Sequence, residues 1–147
     1  MKYDIVKPGG SLTLTSGHAG IKPGKGATIG GSLNAGIFTM TKGLANELRE
    51  KKIRVNCVVP GMVQTELWDK QGRSKEDQKV MFEKEAKNLS VGFVATAEQI
   101  AEAYLYTVRA DYANGTLVLI GECFPFCSIR VKEFVVLTLL VDGGADL

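Results

Sequence analysis

The sequence predicts an α/β fold in which a parallel sheet carries helices on both faces. Three observations carry this reading: a strand-like alternation at residues 11–16, apolar residues at helical spacing over 29–51, and a short β-branched run at 53–59. A strand, a crossover helix and a second strand form the unit from which parallel sheets are built.

The first strand reads S-L-T-L-T-S, with polar and apolar residues alternating at the period of a pleated chain. The following G-H-A-G-I-K-P-G-K-G has four glycines and a proline, so it is a loop. From Ile29 the residues Leu33, Ile37, Met40, Leu44 and Leu48 recur at spacings of three and four, which predicts a long amphipathic helix to about Lys51. Gly30, Gly31, Gly36 and Gly43 weaken it by about 1 kcal/mol each relative to alanine. Their presence calls for close packing against a sheet or partner helix, or a ragged helix start near Gly30 and Gly31.

Residues 53–59 lack clean alternation and resemble a strand covered on both faces, ended by Pro60 and Gly61. Residues 62–68 continue as a loop into a helical turn. Ser74, with Asp77 three residues on, marks a helix start running to about Asn88. Thr96 and Gln99 form a capping-box pair heading a further helix through Ile100, Ala103, Tyr104 and Val108. The turn Tyr112-Ala-Asn-Gly115 then leads into a strand at 116–120.

Composition narrows the function. The chain has 147 residues, 45% hydrophobic and 23% charged, which fits one globular domain rather than a disordered chain. Its net charge of +2 points to no acidic partner. The densest basic stretch, Arg49, Lys51, Lys52 and Arg54, is diluted by Glu47 and Glu50 and reads as a solvated helix end, so no nucleic-acid partner is expected. The N-terminus has no apolar stretch followed by a small-residue cleavage site, and the longest apolar run, 134–141, is far short of the roughly 20 residues that span a bilayer. A cytoplasmic protein without a membrane association is therefore expected. Cys57 reads as a reduced, packed thiol, and Cys123 and Cys127 lack the companion ligands of a metal site, so no metal is expected.

The segments G-G-S-L-T-L-T-S-G-H-A-G, K-G-L-A-N-E-L-R-E-K-K-I-R-V-N-C-V-V-P-G-M-V-Q-T-E-L, A-T-A-E-Q-I-A-E-A-Y-L-Y, A-D-Y-A-N-G-T-L-V-L-I and V-D-G-G-A-D-L together resemble the short-chain dehydrogenase/reductase family, over nearly everything except residues 121–140. The resemblance implies a partial Rossmann-like, doubly wound parallel sheet with the N-terminal half of the family fold missing. It also implies an NAD(P)-dependent oxidoreductase acting on a small carbonyl or alcohol, with NADP or NAD as cofactor. Pro60, Gly61, Val63 and Thr65 match the loop that touches the nicotinamide side of that cofactor. The helix over 29–51 corresponds to one that commonly pairs two subunits, so a homodimer or other self-association through it is expected.

The family's reacting side chains are absent. Counting back from Gly20 puts the family serine at Gly17; counting back from Thr41-Lys42 puts the lysine at Asn34 and the tyrosine at Gly30. In the family the tyrosine hydroxyl exchanges a proton with the substrate oxygen, while the lysine lowers its pKa from near 10 and holds the ribose. Glycine brings no acid, asparagine brings no charge, and Gly17 offers only a backbone N–H to a developing oxyanion. The nearby substitutes are Ser16, turned to the opposite face if the strand continues, Ser32 within the old tyrosine-to-lysine interval, and His18, the one side chain with a near-neutral pKa.

Two departures remain. No strand followed by a glycine-rich phosphate cradle is found, because Gly24-Lys-Gly26 lies in a loop after the first strand. Removing residues 120–140 would join G-T-L-V-L directly to V-D-G-G-A-D-L, so this block reads as an insertion, with a retained short intron as its expected origin. Beside the oxidoreductase, two further readings follow: a non-catalytic binding or structural module that keeps the fold, and an inactive fragment of an incomplete gene model.

Overall fold

A computed structural model describes residues 6–121. Strands β1 (Ser11–Thr15), β2 (Arg54–Pro60) and β5 (Leu117–Ile120) form a parallel sheet in the order β1-β2-β5. Ser11 lies beside Arg54 and Thr15 beside Val58, while Cys57 lies beside Leu117 and Pro60 beside Ile120. The central strand is the apolar, β-branched run of the sequence, and residues 55–59 are buried. Burying each valine side chain contributes on the order of 1.5–3 kcal/mol.

The alternation of β1 places its residues on two faces. Leu12 and Leu14 turn to helix α1 (Thr28–Glu47), packing with Val55, Ala45, Leu44 and Leu48. Ser11, Thr13 and Thr15 turn to helix α4 (Ala97–Arg109): Ser11 Oγ donates to the Thr107 carbonyl at 3.2 Å, Thr13 Oγ1 pairs with Thr107 Oγ1 at 2.7 Å, and Thr15 Oγ1 with the Tyr104 hydroxyl at 2.7 Å. The sheet thus has a helix on each face, the α/β Rossmann-like architecture expected.

The apolar stripe of the long helix divides. Ile29 is 78% and Leu33 69% exposed, and Met40 is exposed too, while Leu44 and Leu48 pack against the core. The buried positions are Gly31, which lies against Ala19 and Pro23 of the preceding loop, and Thr41 and Ala45, of which Ala45 packs with Ile53 and Val55. The helix starts cleanly at Thr28, and Leu48 leads into a 3-10 turn, Arg49–Lys51, rather than a continuous helix to Lys51. Among the described residues, one of its four glycines meets a neighbour closely: a Cβ on Gly31 would stand 2.7 Å from the Ala19 carbonyl oxygen, while no neighbour lies within 4 Å of a Cβ on Gly30, Gly36 or Gly43.

The amino end of the sheet is fastened by side chains. Arg54 donates to the carbonyls of Thr107 and Val108, each at 2.8 Å, and so caps the last turn of α4. Asn56, fully buried, donates to the Ala113 carbonyl at 2.8 Å and accepts from the Thr116 N–H at 3.1 Å. Asn114 accepts the Val55 N–H at 2.9 Å, which completes a clasp between β2 and the turn before β5.

Beyond β2, strands β3 (Val63–Gln64) and β4 (Ala95–Thr96) form a second, two-stranded parallel sheet. Between them lie helices α2 (Leu67–Lys70) and α3 (Lys75–Ala86). Ser74 caps α3 by accepting the Asp77 N–H at 3.1 Å, and Thr96 donates its N–H to Gln99 Oε1 at 2.9 Å in the expected capping box. Cys57 is a free, buried thiol, as read from sequence, and burial pushes its pKa up. Of the block read as an insertion, Ile120 closes β5 and Gly121 follows it; the rest, with Cys123, Cys127, the run at 134–141 and the V-D-G-G-A-D-L end, lies outside the described residues.

Candidate functional site

In an open parallel sheet, ligands bind in the crevice beyond the carboxyl ends of the strands. Here that end brings together residues 16–18 after β1, residues 60–65 after β2, and Gly121 after β5. The ladder joins them: Ser16 N–H donates to the Val58 carbonyl at 3.0 Å and Gly61 N–H to the Ile120 carbonyl at 2.9 Å. A Cβ on Gly121, whose φ is +114°, would stand 2.9 Å from the Gly61 nitrogen, so the backbones there touch directly.

Gly17 and Asn34 meet at this end of the sheet. A Cβ on Gly17 would lie 3.4 Å from the Asn34 amide nitrogen. Ser16, the residue after β1, does not turn away from this group. Its hydroxyl lies 2.9 Å from the Asn34 carbonyl and 3.2 Å from Asn34 Oδ1. Gly30 is exposed, with no heavy atom within 4 Å of a Cβ built on it, so it leaves a vacant place on α1 rather than a filled one. Ser32 is spent on its own helix: its hydroxyl donates to the Thr28 carbonyl at 2.9 Å.

His18 opens a 3-10 turn, His18–Gly20, that lies against α1. It is half-buried rather than a surface residue, and Nε2 is buried without a hydrogen-bond partner. Burial, and then the charge of Lys22, hold its pKa below the ordinary imidazole value. A neutral ring with an unsatisfied nitrogen is therefore present one residue from Gly17.

The Pro-Gly loop is positioned by an anchor that sequence reading missed. Trp68 Nε1 donates to the Val63 carbonyl at 2.8 Å, and its ring meets Phe82 edge-on with centroids 6.1 Å apart. Thr65 is exposed, and its hydroxyl accepts the Leu67 N–H at 3.4 Å, leaving its own proton available. Asp69 accepts from Lys75 at 2.7 Å and from Gln78 at 2.6 Å, bonds that lower its pKa and tie α3 to α2. Thr65 borders a cavity of about 1020 Å³ between this segment and one face of α3. The spacing of Gln78, Phe82 and Ala86 was the available signal for that face, obscured by the charged residues around it.

Among the described residues, no group of three or more histidine, cysteine, aspartate or glutamate side chains is placed to hold a metal, and no helix is long and apolar enough to cross a membrane.

Comparison with known proteins matches residues 1–124 to the SDR-like Rossmann domain family. Among curated proteins, the chain is 28% identical over 120 residues to human 3-oxoacyl-[acyl-carrier-protein] reductase, covering 82% of this chain and 47% of that protein. It is 36% identical over 108 residues to the short-chain dehydrogenase/reductase ATR9 of Stachybotrys chlorohalonatus, covering 74% of this chain and 41% of that one. Among solved structures, a small-chain dehydrogenase in complex with NADPH superposes with a TM-score of 0.73 at 37% identity, over 79% of this chain and 51% of that one. The chain thus spans about half the length of the relatives it matches. Sheet, crossovers and loop sequence agree with that match, and the chain belongs to the short-chain dehydrogenase/reductase family of SDR-like Rossmann domains.

Proposed function

We propose that this chain forms the nicotinamide- and substrate-facing part of an NAD(P)-dependent oxidoreductase that interconverts a carbonyl compound and its alcohol without the family's standard proton relay. The observation that carries the reading is the convergence of residues 16–18, 60–65 and 121 at the carboxyl end of one parallel sheet. A relative at 37% identity holds NADPH, which supports the same class of cofactor here. Bound there, the nicotinamide supplies or accepts hydride. Thr65 offers a hydroxyl to the carboxamide, and Pro60, Gly61 and Val63 shape the loop beneath it, with Val63 fixed by Trp68. Asn34, beside Ser16, offers an uncharged amide where the family has a cation, and the proton for the substrate oxygen would fall to His18 or to solvent.

The second reading, a binding module without turnover, is favoured by one observation: Gly17 and Gly30 present no proton-bearing side chain, and the place beside Gly30 is open. In either case the outward stripe of α1, with Ile29, Leu33 and Met40 exposed beside Gly36 and Gly43, suits pairing with a second copy. Titration of the 147-residue chain with NADPH, followed by nicotinamide fluorescence, tests the cofactor reading. Saturable enhancement is expected, and a flat response up to millimolar cofactor would overturn it. NADPH oxidation in the presence of carbonyl compounds then separates enzyme from binding module.

A further inference from the structure

At the amino end of the sheet, opposite the crevice that holds Gly61 and Thr65, a separate cavity of about 380 Å³ opens between the turn after α1 and the turn before β5. We propose that it binds a phosphate monoester carrying an aromatic ring, of mononucleotide size, with the phosphate on Arg49 and Lys52 and the ring on Tyr112. Nothing in this assignment depends on the cofactor reading above.

Charge is the first argument. In sequence Arg49, Lys51, Lys52 and Arg54 read as a solvated helix end diluted by Glu47 and Glu50. The fold sorts that stretch: Arg49, Lys52 and Arg54 line the cavity, Glu47 and Glu50 do not, and Asp111 is the one carboxylate among its lining residues. Arg54 is already engaged, donating to the Thr107 and Val108 carbonyls at the negative end of α4, with Asp111 3.8 Å away. Its charge answers the helix end and the carboxylate. Arg49 and Lys52, both exposed, supply the surplus, and a phosphate dianion matches that pair.

Geometry is the second. Lys52 has left-handed backbone, φ +54°, and its N–H donates to the Arg49 carbonyl at 2.9 Å, so one tight turn holds both cations. Asn114 accepts the Val55 N–H through Oδ1 at 2.9 Å, which leaves its NH2 group to serve as a donor at the lining. Tyr112 is fully exposed, so its ring offers an open face to a flat base, and buried Ile53 adds an apolar patch to the lining. The volume falls near the lower end of the roughly 300–1,000 Å³ usual for small-molecule sites, which suits one nucleotide rather than a strand of them.

The test titrates the isotope-labelled 147-residue chain with AMP, adenosine and inorganic phosphate, following backbone amide resonances. AMP should move those of Gly9, Lys52 and Asn114 saturably and leave Gly61 and Thr65 in place, with adenosine and phosphate each about ten-fold weaker. Added salt should weaken the binding, because exposed charges are screened. Lys52→Asn, which tolerates left-handed backbone, combined with Arg49→Gln should weaken AMP about ten-fold or more. Tyr112→Ala should weaken AMP about five-fold or more and leave phosphate unchanged. Circular dichroism checks the fold of each variant, all of them altered at exposed positions. The proposal is overturned by no saturable movement at Gly9, Lys52 and Asn114, by phosphate or an oligothymidylate binding as tightly as AMP, or by AMP binding unaltered in the variants.

Discussion

The two ends of the sheet are built differently. The amino end is closed by side chains: Arg54 on the last carbonyls of α4, Asn56 between Ala113 and Thr116, and Asn114 on the β2 backbone. At the carboxyl end backbones come together, with glycine at positions 17, 61 and 121, and the side-chain bonds there, Ser16 with Asn34 and Trp68 with the Val63 carbonyl, hold loops rather than strands. The side-chain clasp of the scaffold thus lies away from the proposed cofactor crevice, and side chains at the carboxyl end can change without loosening it.

The sharpest test of that contrast lies at the amino end. Asn56→Leu should cost about 2 kcal/mol, since the Thr116 N–H loses its partner and the Ala113 carbonyl keeps only the longer bond from Arg54 at 3.3 Å, and urea unfolding would show it as a lowered midpoint. A midpoint equal to that of the unaltered chain would mean the clasp does not hold the sheet.

Neighbouring glycines offer the next comparison. Gly31→Ala forces a Cβ to 2.7 Å from the Ala19 carbonyl oxygen and should destabilise by about 1–2 kcal/mol. Gly30→Ala meets nothing and should stabilise by up to about 1 kcal/mol through helix propensity. Opposite signs at adjacent positions, read from thermal melts, would confirm that only Gly31 is a packing glycine.

Restoring side chains at the carboxyl end should barely register in stability. Gly30→Tyr combined with Asn34→Lys is expected to shift unfolding by less than about 1 kcal/mol, because Gly30 faces open space and Asn34 is only half-buried. A large loss in the same melts would show that the vacant place is needed by the fold.

The smallest effect concerns His18, the only histidine. Its folded pKa is lowered, so the unfolded chain binds the extra proton more readily; the stability linked to the neutral ring is complete above about 6.5 and is lost as pH falls through the lowered value. The imidazole proton resonances should titrate below that of a free histidine, and His18→Gln should flatten this part of the pH–stability curve. A resonance titrating at or above about 6.5 would contradict the burial argument.

Much of the scaffold was legible because it depends on local chemistry. The β-branched run of β2 and the Thr96–Gln99 box emerged within a residue or two of their expected bounds, as each is set by neighbours in sequence. The facing of α1 was not legible: its periodic apolar residues look alike in sequence, yet Leu44 and Leu48 pack against the core while Ile29, Leu33 and Met40 stay exposed. At the site, the bond of Ser16 to Asn34 was not legible, because it joins residues 18 apart in sequence through the packing of β1's end on α1. The hold of Trp68 on Val63 and the wall formed by α3 join segments through tertiary packing, which periodicity within one segment does not record.

The outward stripe of α1 carries a thermodynamic consequence. Under the proposed pairing, Ile29, Leu33 and Met40 are covered only when two copies meet, so the folding equilibrium becomes linked to the association equilibrium. The melting temperature of this chain then becomes a property of its concentration as well as of its sequence.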